Sequence, residues 1–290
     1  MESNGVAMLV TMMIVIVMGN LLAETEAQKV VLETWDRCGK HVRDYNMYTG
    51  VLGTAYLLFK SYLVTSNQED LKLCLEIVKA CDVVASKDSL RVTFFCGYAG
   101  VCALGAVVAK CIGDDQLQDR YLTRFREIRL PIDLPYELLY GRVGYLWGCL
   151  FLNKHIGKDS VSSARMRFVV EEIFRGGRQL GKRGECPLMY EWHGKKYWGA
   201  AHGLAGIMHV LMHMELEPDE IEDVKGKSEY LYRAKAFASF LLDKSEKLIT
   251  EGKMQGGDRP FSLFEGIGGM SYMFLDMIDP TQALFPGYEL

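Results

Sequence analysis

The stretch YWGAAHGLAGIMHVLMHM, Tyr197 to Met214, runs a Gly-x-x-Gly pair, Gly203 and Gly206, straight into a long apolar segment. The same arrangement occurs at five places: TGVLGTAYLLF from Thr49, CGYAGVCALGAVV from Cys96, YGRVGYLWGCLFL from Tyr140, HGLAGIMHVLMHM from His202 and EGIGGMSYMFLDM from Glu265. The leading glycines are Gly50, Gly97, Gly141, Gly203 and Gly266, spaced 47, 44, 62 and 63 residues apart. Gly181 and Gly184 form another such pair, but no apolar run follows them. The shared sequel therefore carries the signal, and each pair predicts an apolar helix of about three turns.

Between these runs lie amphipathic segments, NQEDLKLCLEIVKACDVV, VSSARMRFVVEEIFRGGRQL and KSEYLYRAKAFASFLLDKSEKLI. Their apolar residues recur at i, i+3, i+4 and i+7, the pattern of a helix that covers a core with one face. Each unit is then an amphipathic helix, a loop, a glycine turn and an apolar helix. Inner apolar helices alternating with outer amphipathic ones predict an all-α fold, an α/α toroid, with the glycines allowing tight turns at the inner helix starts. No strand alternation is present.

A net charge of −4 and a pI of 5.9 leave no basic footprint, so nucleic acid is excluded as a partner. Of the eight cysteines, Cys74, Cys81, Cys102, Cys111 and Cys149 lie in apolar helical text, and no CxxC occurs. That usage predicts reduced thiols and a cytosol-facing domain. At the start, Gly5 to Leu22 carries no charge, and its strongest core, Val6 to Met18, has the length of a signal-peptide h-region. The basic residues nearest to it, Lys29, Arg37, Lys40 and Arg43, follow rather than precede it. The positive-inside tendency then predicts a membrane-associated segment over residues 1–28, with 29–290 as a cytoplasmic domain, for example at the plasma membrane. A cleaved signal peptide, a wrongly assigned start and a simply cytoplasmic chain remain the alternatives.

The lines DYNMYTGVLGTAYLLFKSY, FFCGYAGVCALGAVVAKC, LPYELLYGRVGYLW, YEWHGKKYWGAAHGLAGIMHVLM, GDRPFSLFEGIGGMSYMFLDM and the terminal FPGYEL together resemble the lanthionine synthetase C-like family, and its plant branch closely. The resemblance runs from about Val30 to Leu290. It implies a seven-hairpin α/α barrel. It also implies a zinc ion, held by a cysteine of one repeat and a Cys-His pair of the next, that activates a thiol. A metal-bound thiol is deprotonated outright. The thiolate adds to a dehydroamino acid, closing a lanthionine ring in bacterial members and using glutathione in eukaryotic ones.

Against that pattern, the five repeats match the first four and the last of seven. After ELEPDEIEDVKG the text passes, at about Gly226 and Lys227, to the segment that normally precedes the final repeat. Two repeats, roughly 100 residues at this spacing, are absent there, and in the family those two carry the zinc ligands. No Cys-His dipeptide occurs anywhere, and no cysteine follows Cys186. The expectation is a chain without zinc and without the family reaction, with membrane-associated binding or regulation as its alternative role.

His202 matches the family's acid/base histidine, a role that suits an imidazole near neutrality. The other reading of it is a turn-capping histidine. His209 and His213, four apart, would share a stripe with His202 on a continuous helix, but no carboxylate or thiol nearby completes a metal site. Core or rim histidines are the expectation. His193, Trp192 and Trp198 lie in an aromatic loop that either lines a pocket mouth or packs a lid. Glu191, Asp258 and Glu265 are carboxylates near glycine turns, and they do not define the acid/base pair that a carbohydrate-active toroid would need. The acidic run Glu215 to Asp223 reads as a solvated loop or helix start.

Overall fold

The computed structural model describes Trp35, residues 41–88, 91–182 and 186–225, and Leu263. The segment 1–28, the 226/227 junction, and the fifth glycine pair with Asp258 and Glu265 lie outside these residues. The described residues contain eight helices: α1 (Val51–Thr65), α2 (Gln68–Ala85), α3 (Tyr98–Ile112), α4 (Asp115–Glu127), α5 (Arg142–His155), α6 (Ser163–Gly181), α7 (Leu204–Leu211) and α8 (Pro218–Lys225). Among them there is no strand, only a single antiparallel bridge between Trp192 and Lys195. The all-α expectation holds, and the alternation of helix types is that of an α/α toroid. None of these helices is long and apolar enough to cross a membrane.

The described residues fall into two compact units. One holds residues 41–84 and 111–113 with Trp35 and Leu263; the other holds 85–88, 91–110, 114–182 and 186–225. In the first, α1 is buried without a break from Val51 to Ser61, and α2 buries Leu71, Cys74, Ile77, Val78 and Cys81 at helical spacing, the Cys74 thiol donating to the Ala55 carbonyl at 3.1 Å. In the second, α3 is buried without a break from Ala99 to Ala109. The outer helix α6 instead buries Met166, Val169, Val170, Ile173, Phe174, Gly177 and Gly181, a single stripe at helical spacing. Helix α5 packs on both α6 and α7.

The helices start in two different ways. Outer helices use side-chain caps: Asp114 accepts from the Leu117 amide before α4, and Ser162 from the Arg165 amide before α6. Inner helices begin at a glycine with no side-chain cap, Gly50, Gly141 and Gly203. Here the preceding loop returns to the helix start. The first amide of each inner helix donates to the carbonyl seven residues earlier: Val51 to Asp44 (2.9 Å), Tyr98 to Arg91 (2.8 Å), Arg142 to Pro135 (2.8 Å) and Leu204 to Tyr197 (3.0 Å).

This geometry corrects the reason expected for the glycines. Gly50, Gly141 and Gly203 have φ of −102°, −111° and −113°, angles open to any residue. What excludes a side chain is the returning loop. A Cβ would lie 2.5 Å from the Asp44 carbonyl oxygen at Gly50, 2.4 Å from that of Glu137 at Gly141, and 2.4 Å from the Gly199 nitrogen at Gly203. At the second glycine of the third repeat the fit is tighter still, with a Cβ at Gly144 meeting the Leu138 oxygen at 2.1 Å. Close approach of backbone to backbone is therefore the constraint.

The acidic run also differs in part from its reading. A helix does start there, at Pro218, with Glu220 turning back to accept from the Glu217 amide at 2.9 Å. Glu220 is not solvated, however. It is buried and takes a two-pronged ion pair from Arg167 of α6, while Arg178 pairs with Asp219 and Asp223.

Replacing Gly144 by Ala should therefore force backbone apart and cost about 2–3 kcal/mol, lowering the thermal midpoint by roughly 5–10 °C. Gly199, whose Cβ would meet nothing within 4 Å, is the control: Gly199→Ala should leave the midpoint within about 1 °C. Differential scanning calorimetry on the two variants separates these outcomes.

Candidate functional site

The returning loops place two positions of each repeat in register at the inner helix start. Four residues before the leading glycine stand Asn46, Thr93, Glu137 and Gly199; directly before it stand Thr49, Cys96, Tyr140 and His202. In the first three repeats the earlier side chain caps the later residue's amide. Asn46 Oδ1 accepts from the Thr49 amide at 2.7 Å, Thr93 Oγ1 from that of Cys96 at 3.4 Å, and Glu137 Oε1 from that of Tyr140 at 2.5 Å. Gly199 has no side chain to offer, so His202 has no such cap.

His202 instead meets the third repeat. Its Nδ1 lies 2.7 Å from Glu137 Oε2, which also accepts from the Leu139 amide at 2.9 Å. Glu137 is 2% exposed, and its carboxylate in the ionised form only accepts, so the bond to it is then donated by Nδ1–H of His202. Burial pushes the Glu137 carboxyl above its ordinary range, against the opposing pull of His202 and the two amides. Nε2 of His202 makes no hydrogen bond among the described residues, and the ring is partly exposed. An imidazole oriented at Nδ1 by a carboxylate and open at Nε2 can take up or deliver a proton at that atom.

Aromatic rings fix its plane. The Trp192 ring stacks on His202 with centroids 3.9 Å apart and planes 8° from parallel, and Tyr140 lies 6.1 Å away at 7°. Trp192 is delivered by a two-residue hairpin turn, His193 and Gly194 at φ of 48° and 72°, closed by mutual bonds between Trp192 and Lys195. The aromatic loop thus covers the histidine. Trp198 is exposed and His193 points to solvent. The Tyr140 phenol, bonded to Cys96, is pushed up to about 12 by burial first and by the neighbouring thiol second.

The histidine stripe does not form. His202 precedes the start of α7, and α7 ends at Leu211, so only His209 is helical. His213 lies in the following turn with its Nδ1 on the His209 carbonyl at 2.8 Å, and both rings rest on Trp147. Glu191 is exposed and forms no carboxylate pair among the described residues.

The described residues do not bring together a ligand set for the zinc that the resemblance implies. Among the described residues no three His, Cys, Asp or Glu side chains converge to hold a metal. Burial raises the thiols of Cys74, Cys81 and Cys149, the last to about 12. Outside the described residues the sequence offers only one cysteine, Cys38, and no histidine.

The residue that sequence reading missed is Glu137. Its signal was the register itself, a polar side chain four before the glycine, as with Asn46 and Thr93.

The family model described as lanthionine synthetase C-like protein matches residues 41–226 and 222–290. The chain belongs to this lanthionine synthetase C-like family. It is 44% identical over 202 residues to the LanC-like protein GCL1 of Arabidopsis thaliana, an alignment covering 66% of this chain and 47% of that protein. It is 35% identical over 179 residues to the glutathione S-transferase LANCL1 of Danio rerio, covering 59% and 44%. The chain spans about half the length of these relatives.

Burial holds His209 and His155 neutral, each pushed from an ordinary 6.5 down to about 4. The folded chain then binds fewer protons than the unfolded one between those values, so stability is retained above pH 6.5 and lost as pH falls toward 4. A thermal melt series should show the midpoint falling on the order of 5 °C from pH 7 to pH 5. Replacing both histidines by Gln should flatten that slope.

Proposed function

We propose that this chain carries the proton-transferring half of the lanthionine synthetase C-like site without its thiol-activating half. It is inactive in zinc-dependent thioether formation. It acts instead as a binding or regulatory protein that accepts the ligands of its relatives. The observation that carries this reading is the Glu137–His202 contact at 2.7 Å, an oriented imidazole whose formation needs no metal. His202 is the residue that would hold or release a proton, at Nε2, with Glu137 holding Nδ1. Trp192 covers one face of the imidazole, and Tyr140 lies beside the stacked pair.

The likeness to the glutathione S-transferase of Danio rerio supports a glutathione-type thiol as the ligand class. That the family match breaks into two stretches meeting at residues 222–226 supports the absence of two repeats between Gly226 and Lys227. The uncharged stretch from Gly5 to Leu22 supports delivery of the domain to a membrane surface, the plasma membrane included.

Elemental analysis of the purified chain should find less than ~0.1 zinc per chain after equilibration with zinc and desalting. Incubation with glutathione and a dehydroalanine peptide should then give no thioether by mass spectrometry. Stoichiometric zinc together with thioether formation abolished in His202→Gln would overturn the proposal and restore the enzymatic reading.

A further inference from the structure

We propose that Arg142 is a positioning residue for the Glu137–His202 pair. Its buried guanidinium pins the loop 131–136 so that the next residue, Glu137, presents its carboxylate to the imidazole. The inference rests on reading that pair as the functional centre.

Arg142 is the first residue of α5 and is 6% exposed. A buried guanidinium normally calls for a carboxylate, and Arg142 has none among the described residues. Its two terminal nitrogens go to consecutive carbonyls, Nη1 to Pro131 at 3.1 Å and Nη2 to Ile132 at 2.9 Å, while Nε has no partner. The fork suits two adjacent acceptors, which a lysine cannot match. Meanwhile the Ile132 side chain is 97% exposed. The loop is not folded by burying its own hydrophobe; it turns that side chain out and its carbonyl in, toward Arg142.

The backbone adds to the hold. The Arg142 amide donates to Pro135 at 2.8 Å and the Val143 amide to Tyr136 at 3.3 Å. Tyr136 in turn lies against Gly176 of α6, where a Cβ would sit 2.2 Å from its ring. The two residues that open α5 thus bind the loop at Pro131, Ile132, Pro135 and Tyr136, and Glu137 follows directly. Two buried charge-assisted bonds fix the far end of the loop, and their loss frees the carboxylate to move away from Nδ1.

The readout is the Nδ1 proton of His202 in the ¹⁵N-labelled full chain, assigned by its loss in His202→Gln. It should be a slowly exchanging resonance in the parent protein. Arg142→Met and Arg142→Lys should speed its exchange with water about tenfold or remove it, at unchanged helical content by circular dichroism. If Arg142→Met does not fold, Arg142→Lys is the variant read, since it keeps the cation and loses the fork. Arg165→Lys supplies the control for stability alone. Its guanidinium bonds the Tyr145 hydroxyl and the Ile128 carbonyl, so the variant should lower the thermal midpoint and leave the resonance in place. An unchanged resonance in the Arg142 variants, or an equal loss in Arg165→Lys, overturns the role of Arg142. Absence of the resonance in the parent, or its persistence in Glu137→Ala, overturns the pair itself and the role of Arg142 with it.

Discussion

The hydrogen bond from the first amide of each inner helix to the carbonyl seven residues before it is the contact on which the rest depends. It satisfies a donor that the helix leaves open, and it does so with backbone instead of a side-chain cap. To make it, the loop must cross the helix start at a distance no Cβ permits. The Gly-x-x-Gly signature is therefore a record of one backbone passing over another. The same crossing sets the residue four before the glycine beside the residue just before it. Repetition of the fold thereby repeats these two positions at the four described inner helices.

What distinguishes the repeats is what occupies those two positions. Asn46 and Thr93 spend their oxygens on the amides of their own loops, and Thr93 also donates to the Leu139 carbonyl of the next loop at 2.5 Å. Glu137 has two oxygens, so it can cap its own loop and still reach across to the fourth repeat. The fourth repeat is ready for that reach because Gly199 leaves its histidine uncapped. A carboxylate in one repeat and a missing side chain in the next together turn a structural cap into an acid/base pair. Neither change alone would do so.

Much of the helical fold was legible because its signals are local. The glycine pairs and the helical spacing of Met166, Val169, Ile173 and Phe174 mark elements within a dozen residues. The site was legible only in its histidine. Glu137 lies 65 residues from His202, and nothing in LPYELLYG distinguishes it from a surface glutamate until the loops are laid in register. The stripe of three histidines failed for a related reason. Spacing by four and seven predicts a shared face only on one unbroken helix, and α7 begins after the first histidine and ends before the last. Glu220 was likewise read from a charged neighbourhood, whereas its burial comes from Arg167, 53 residues earlier.

The double duty of Glu137 bears on how a family site can come apart. Its carboxylate accepts from Leu139, Tyr140 and His202 while nearly fully buried, so removing it strands three donors, each worth about 1–3 kcal/mol when left unpaired. The pair is thus under the protection of the fold whether or not any reaction uses it. On the proposed reading, then, a chain without the repeats that bear the zinc ligands still forms the oriented histidine and its aromatic cover. What remains is a pair of side chains whose geometry is maintained by folding energy.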